Sequence, residues 1–169
     1  MCVALAALDA TVQVEGLQGP RSIPFAEFHR LPGETPQIDT NLLRNELITA
    51  IDLPATANGF ADHSYYLKVR DRASYAFALV SVAAALDIRD GVIQEARVAM
   101  GGVAHKPWRA AKAEATLKGQ HAEESSFRSA AEAEMQSAAG TEHNRFKIEL
   151  GRRAIVRALT IAANSGRTA

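Results

Sequence analysis

Asp90-Gly91 separates two apolar runs, Tyr75–Arg89 and Val92–Met100. An aspartate–glycine pair in that setting calls for a type I′ hairpin, because both central positions need positive φ, so the two runs must lie side by side and antiparallel. The first run is nearly all apolar, which implies burial on both faces. Tyr65–Arg70 alternates well enough to supply a third strand. After Pro107 the composition turns to alanine, glutamate and lysine, and Ala110–Leu117, Glu124–Ala138 and Arg145–Ala163 read as helices. In the last of these, Phe146, Leu150, Ala154, Ala158 and Ile161 form an apolar stripe suited to covering one face of the sheet. The class is therefore α+β: a three-stranded antiparallel sheet packed with helices. Only Asn164–Ala169 reads as a frayed end.

Upstream of this unit, Thr11–Glu15 alternates as a strand, Gly16-Leu-Gln-Gly-Pro20 is turn chemistry, and Arg21–Phe25 reads as the returning strand. A short helix over Ala26–His29 leads to an irregular loop at Leu31–Pro36, and Glu46–Leu53 is extended again. Pro54–Asp62 lacks a helical or strand period and is the expected boundary between two packed units. Met1-Cys-Val-Ala-Leu-Ala-Ala-Leu8 is apolar from its first residue with no capping residue before it, which predicts an upstream half outside this sequence.

Composition narrows the function classes. With 169 residues and 47% hydrophobic content the chain holds one or two units. Nineteen basic residues balance nineteen acidic ones, so no long-range positive field exists to gather nucleic acid or anionic lipid, and a protein or small-molecule partner is expected instead. The longest apolar stretch, about Phe77–Leu86, is half of the roughly 20 residues a membrane helix needs. No charged leader is evident, so the cytoplasm is the expected compartment. The one cysteine, Cys2, is expected to be a small buried hydrophobe and excludes an internal disulfide or a cluster held by this chain's own thiolates. Histidines 29, 63, 105, 121 and 143 lack metal-ligand spacing. Phosphate-loop, dinucleotide and nucleophile-elbow motifs are likewise missing.

Four segments carry a more specific signal: Leu31-Pro-Gly-Glu-Thr-Pro36, Asn45-Glu-Leu-Ile-Thr-Ala-Ile-Asp-Leu-Pro54, Ser64-Tyr-Tyr-Leu-Lys-Val-Arg-Asp-Arg72 and Gly101-Gly-Val-Ala-His-Lys-Pro-Trp-Arg109. Together they resemble the FAD-binding (medium) subunit of the xanthine dehydrogenase and aldehyde oxidoreductase family, the molybdenum hydroxylases. The resemblance implies that residues 1–57 are the C-terminal part of a PCMH-type FAD-binding domain. Residues 58–169 would be the carbon monoxide dehydrogenase flavoprotein C-terminal-like domain.

On residue type alone Lys68, between Leu67 and Val69, is a solvent-facing strand lysine. The resemblance implies instead that it lies beside the isoalloxazine of FAD, where a fixed cation favours the electron-rich reduced ring. It also implies that Ile48 presents main-chain groups to the edge of that ring, although the residues alone fit an ordinary core strand. Glu46 and Asp52 read as solvated carboxylates, and Arg70-Asp71-Arg72 as a surface ion-pair loop. Gly101-Gly102 reads as structural, because the pair ends a strand rather than opening a helix. Trp108 and Arg109 would pin the following turn or meet a partner.

In the resembled family the glycine-rich phosphate loops and the ribityl-binding Ser-Asp pair precede the position of Met1, as does the four-iron cluster of some relatives. This chain alone is thus expected to bind FAD poorly. The implied partners are the missing N-terminal portion of the FAD domain, a molybdopterin-binding large subunit and an iron–sulfur small subunit. Electrons would pass from the iron–sulfur clusters through FAD to an acceptor, and a complex exported with another subunit's signal would be periplasmic. The alternative is a cofactor-free scaffold or assembly domain that docks such subunits.

Overall fold

The computed structural model describes residues 1–166 and contains two antiparallel sheets. The first follows a six-residue helix, α1 (Cys2–Ala7), and is ordered β2-β1-β3, with β1 Thr11–Gly16, β2 Gly19–Pro24 and β3 Leu47–Asp52. β1 and β2 form the expected hairpin, with Gly16 opposite Gly19 and φ of +97° at Gly19 relieving the turn. Val12, Val14 and Ile23 project from one face and pack with Phe25 and Phe28 of a single-turn helix, α2 (Phe25–Phe28). A 3-10 helix, Ala55–Phe60, occupies the predicted connection and leads to the second sheet.

That sheet is ordered β4-β5-β6-β7. Its strands are β4 Ser64–Val69, β5 Val80–Arg89, β6 Val92–Gly101 and β7 Trp108–Arg109. Asp90 and Gly91 take φ of +51° and +76°, as the hairpin requires. The fourth strand was not expected: β7 is two residues long and pairs with Ala99 and Met100, too short to leave a periodic signal. β5 is also shorter than its apolar run. Tyr75–Leu79 bulge out of the sheet, Tyr75 at φ +49° and Tyr75 and Phe77 being 94% and 98% exposed. Arg72 holds this loop by donating from Nε to the Tyr75 carbonyl at 3.1 Å, with its guanidinium over the Tyr75 ring.

α3 (Ala111–Leu117), α4 (Glu124–Met135) and α5 (Phe146–Ser165) cover one face of this sheet. Val80, Val82, Ala84 and Leu86 of β5 alternate into that core with Val98 and Met100 of β6, against Phe127, Ile155 and Leu159. The buried seam of α5 is Gly151, Ala154, Ile155, Ala158, Leu159 and Ala162, rotated from the expected stripe, and Phe146 is exposed. A strict i, i+4 row overshoots each 3.6-residue turn, so it drifts off the contact line along a long helix. Gly151 sits on the true line because a Cβ there would lie 3.0 Å from Met100 Cε and 3.1 Å from Met135 Cε. α5 continues through Ser165, past the start of the expected fray, whereas residues 167–169 lie outside the described residues.

The opposite face of β5 and β6 offers Ala83 and Ala99, and α1 rests on it through Val3 and Ala7. Small side chains on the strands let this helix approach closely, which explains why β5 is apolar on both faces. A Cβ at Gly101 would sit 2.5 Å from Val3 Cγ2, and one at Gly102 would sit 2.8 Å from the Leu79 carbonyl oxygen. The two glycines are therefore packing positions. Cys2 is exposed, contrary to expectation: Val3 and Ala7 form the i, i+4 line that α1 buries, and Cys2 lies off it. Among the described residues no helix is long and apolar enough to cross a membrane.

Candidate functional site

β3 is an edge strand with every residue exposed, yet it carries leucines and isoleucines. Its register with β1 places Ile51 opposite Val12 and Ile48 opposite Val14, with a bulge between the two pairs. In a regular strand residues three apart face opposite sides. The bulge changes that phase, so Ile48 and Ile51 both fall on the face shared with Val12 and Val14. Thr49 donates from Oγ1 to the Gln13 carbonyl at 3.2 Å within this irregularity. Val12 and Val14 are covered, whereas Ile48 and Ile51 remain 48% and 40% exposed. The core face of the first sheet thus continues onto β3 and is left open there.

β4 is likewise an edge strand. Leu67 and Val69 pack into the helix-covered core, so Ser64, Tyr66 and Lys68 fall on the opposite face, the one on which α1 lies. Lys68 stands opposite Ser81, is exposed, and has no ion-pair partner among the described residues. Tyr66 donates its hydroxyl to Ser81 Oγ at 3.3 Å. Between α1 and β4 runs an open groove of about 280 Å³ lined by Ala4, Leu8, Ser64, Tyr66 and Ala83 among others. The structure therefore puts Ile48 and Lys68 on open faces of two different sheets.

The chain leading into β3 is fixed by charge. Arg21 grips Glu46 with both arms of its guanidinium, Nε to Oε1 at 2.5 Å and Nη2 to Oε2 at 2.7 Å, and the Leu43 amide donates to Oε2 at 2.7 Å. The hydrogen bonds from Arg21, then that from Leu43, hold the Glu46 carboxyl down at about 2. Glu46 is thus an anchored group rather than a solvated one. Asp52 accepts from Gln13 Nε2 at 2.8 Å. No ion pair joins Asp71 to Arg70 or Arg72 among the described residues, so that loop is held by the Arg72–Tyr75 contacts instead of the expected ion pairs.

A second cluster sits where the two sheets meet. Arg109 donates from Nη1 to the Ala6 carbonyl at 2.7 Å and to Asp9 Oδ1 at 2.6 Å, and from Nε to Glu114. Glu114 also accepts the Val98 amide at 2.7 Å. Burial pushes its carboxyl above the ordinary range, against the pull of Arg109 and Val98. Trp108 donates from Nε1 to Glu134 Oε1 at 2.8 Å, while Glu134 Oε2 accepts the amides of Lys112 and Ala113 at the start of α3. Glu134, buried on α4, thereby caps a neighbouring helix; nothing in the local sequence marks that role. Both residues of the Trp108-Arg109 pair do pin the turn.

Larger cavities lie elsewhere. A cleft of about 430 Å³ between the sheets is lined by Phe25, His29, Lys106 and Trp108, and a groove of about 740 Å³ outside α4 and α5 is lined mainly by arginine and glutamate. Neither includes Ile48 or Lys68. The apolar face at Ile48 and Ile51 and, on the other sheet, a lysine with no ion-pair partner among the described residues are of the chemical kinds that one end of a planar, partly polar ring would meet. Gly101-Gly102 packs inward and offers no cradle for a diphosphate.

Comparison with known proteins gives the family. Residues 1–56 match the FAD binding domain in molybdopterin dehydrogenase, and residues 65–162 match the CO dehydrogenase flavoprotein C-terminal domain. The chain is 46% identical to the aldehyde oxidoreductase FAD-binding subunit PaoB of Escherichia coli (strain K12) over 96% of its own length and 47% of that protein. It is 37% identical to the glyceraldehyde dehydrogenase medium chain of Sulfolobus acidocaldarius over 71% of its length and 40% of that protein. Carbon monoxide dehydrogenase from Hydrogenophaga pseudoflava has the same fold, with a TM-score of 0.82, 27% identity and coverage of 95% of this chain and 55% of that one. The chain spans about half the length of the curated relatives it matches. With both halves of the sequence and the whole of the fold accounted for in this way, the chain belongs to the FAD-binding, medium-subunit family of the molybdenum hydroxylases.

Proposed function

We propose that this chain supplies the closing half of a flavin site in the electron-transfer subunit of a molybdenum hydroxylase. In this reading electrons arrive from iron–sulfur clusters on a small subunit, substrate is oxidised at a molybdopterin centre on a large subunit, and FAD delivers the electrons to an acceptor. The observation that carries the reading is the bulged edge strand: it gathers Ile48 and Ile51 on an apolar face that the chain itself leaves open. Ile48 would border the ring, and Lys68 would stand at its polar edge.

Bound FAD supplies a carrier that takes up and releases electrons. The protein's part would be to present the Ile48 main chain, within the open apolar face, to the edge of the ring and to place the Lys68 ammonium where negative charge gathers on reduction, which raises the potential. Residues 1–57 would be the end of the FAD-binding domain and 58–169 the domain that follows; separate sheets and separate apolar clusters support that division. The diphosphate grip would come from an N-terminal FAD-domain portion. The compartment we propose is the cytoplasm, which suits a single exposed thiol, with a periplasmic complex as the alternative.

Native mass spectrometry of the purified protein, alone and with the upstream portion of the FAD domain co-expressed, tests the reading. FAD retained only in the two-part assembly is the expected result. An assembly that forms without flavin would favour the cofactor-free scaffold that docks subunits.

A further inference from the structure

The two sheets are joined covalently by the segment 53–63 and pack through α1 on Ala83 and Ala99. Contacts between small apolar groups are non-directional and do not by themselves specify an orientation. Among the described residues, directional contacts between the sheets are concentrated in the Arg109 cluster, beside a long bond from Lys106 Nζ to the Ala26 carbonyl at 3.4 Å. Arg109 belongs to the second sheet, and its Nε is committed to Glu114, itself held by the Val98 amide. The remaining arm reaches across to the Ala6 carbonyl, at the end of α1, and to Asp9, in the α1–β1 turn.

Asp9 adopts φ of +54°, an uncommon conformation for a residue with a Cβ. There its carboxylate meets a second arginine, Arg97 Nε at 3.4 Å, and Arg97 in turn lies over the ring of Phe60, 5.6 Å from its centre. The α1–β1 turn, the second sheet and the connecting 3-10 helix therefore end in one cluster. A planar fork with several fixed donors specifies an angle as well as a distance, which an ammonium does not.

We propose that Arg109 is a positioning residue of the flavin site: it clamps the α1–β1 turn to the second sheet and so fixes the spacing between Ile48 and Lys68. The proposal rests on the reading of those two residues given above. Arg109 itself touches the joint and acts on the ring only through the placement of Lys68.

Two readouts test it. In the full chain with Cys2→Ser, spin labels at Leu17→Cys and Lys118→Cys, both exposed and on opposite sides of the joint, report the distance between sheets. R109Q is expected to broaden the distance distribution, and R109K to broaden it too, while E124Q, which removes an exposed pair with Arg128, leaves it unchanged. D9N removes the negative charge that Arg109 and Arg97 both face and keeps the Arg109–Glu114 pair, so it reports even where R109Q unfolds the chain. A distribution as narrow as the parent's in D9N and R109K overturns the clamp.

In the FAD-loaded subunit, D9N and R109K are expected to lower the flavin midpoint potential, the same direction as K68M. A potential unchanged in D9N and R109K beside a clear fall in K68M overturns the positioning role, whatever the distances show. A potential unchanged in K68M overturns the underlying assignment of Lys68 and the proposal with it, while the distance data still judge the clamp separately.

Discussion

β5 and β3 are both apolar strands in antiparallel sheets, and their surroundings are opposite. Every residue from Val80 to Leu86 is buried, because β5 has a strand on each side, α5 on one face and α1 on the other. All six residues of β3 are exposed, because it has a strand on one side only and Ile48 and Ile51 are left partly uncovered by the described residues. A long apolar edge strand is an invitation to unwanted pairing, and proteins ordinarily blunt such edges with charge or proline. β3 carries a bulge at Thr49 and a single charge, Asp52, at its end. The contrast separates a region whose apolar residues serve the fold from one whose apolar residues, on the function proposed above, would border the flavin.

The sharpest test of that contrast is a pair of truncations. Phe127→Ala, in the closed core, is expected to destabilise the chain by about 3–5 kcal/mol in urea titration. Ile51→Ala, on the open strand, is expected to cost under about 1 kcal/mol in the same experiment, since little apolar area leaves water there. Equal losses would mean that β3 is covered in solution and would remove the basis for reading it as half of a site. When the upstream portion of the FAD domain is present, Ile51→Ala should become more damaging and Phe127→Ala should not.

A smaller effect probes how the closed region is held. Glu134 satisfies Trp108 Nε1 and two amides that open α3, at a position 3% exposed. Glu134→Ala is expected to cost about 1–3 kcal/mol, the penalty of leaving such donors unpaired. Trp108 fluorescence should shift to longer wavelength as water reaches the ring. A stable variant with unchanged emission would show that packing alone holds β7 against α4.

Much of the closed region was legible in local signals. Asp90-Gly91 dictates its own backbone, and the helix-forming runs after Pro107 give α3 to α5 to within a few residues. What escaped depended on partners far along the chain. The bulge that turns Ile48 toward Ile51 is set by pairing with β1, and no residue type at Thr49 announces it. Glu134 looks like an ordinary surface charge until Trp108 is brought to it, and Arg109, expected to pin its own turn, also reaches Asp9, 100 positions away. Tyr75 and Phe77 read as strand because periodicity reports apolarity and not the absence of a pairing partner. Lys68 was singled out by resemblance rather than by its pattern, and the structure adds that it stands on an exposed edge strand with no ion-pair partner among the described residues.

The smallest expected effect concerns the approach to β3. Glu46 in the folded chain titrates at about 2, below its ordinary 4.5, because Arg21 and the Leu43 amide favour the ionised form. A carboxyl depressed by folding binds its proton more readily in the unfolded chain, so its contribution is complete above about pH 4.5 and drains away as pH falls toward 2. Thermal melts between those values should show the parent losing stability more steeply than Glu46→Gln, whose side chain has no proton to gain. At neutral pH the variant should be the less stable of the two, because the bidentate pair is gone. The loss should appear first as faster hydrogen exchange at the Leu47–Asp52 amides, with β5 unaffected, since Arg21 and Glu46 fasten only the chain that enters β3. Parallel melting curves for parent and variant across that acid range would mean that the pair does not hold β3, and that its order comes from the β1 ladder alone.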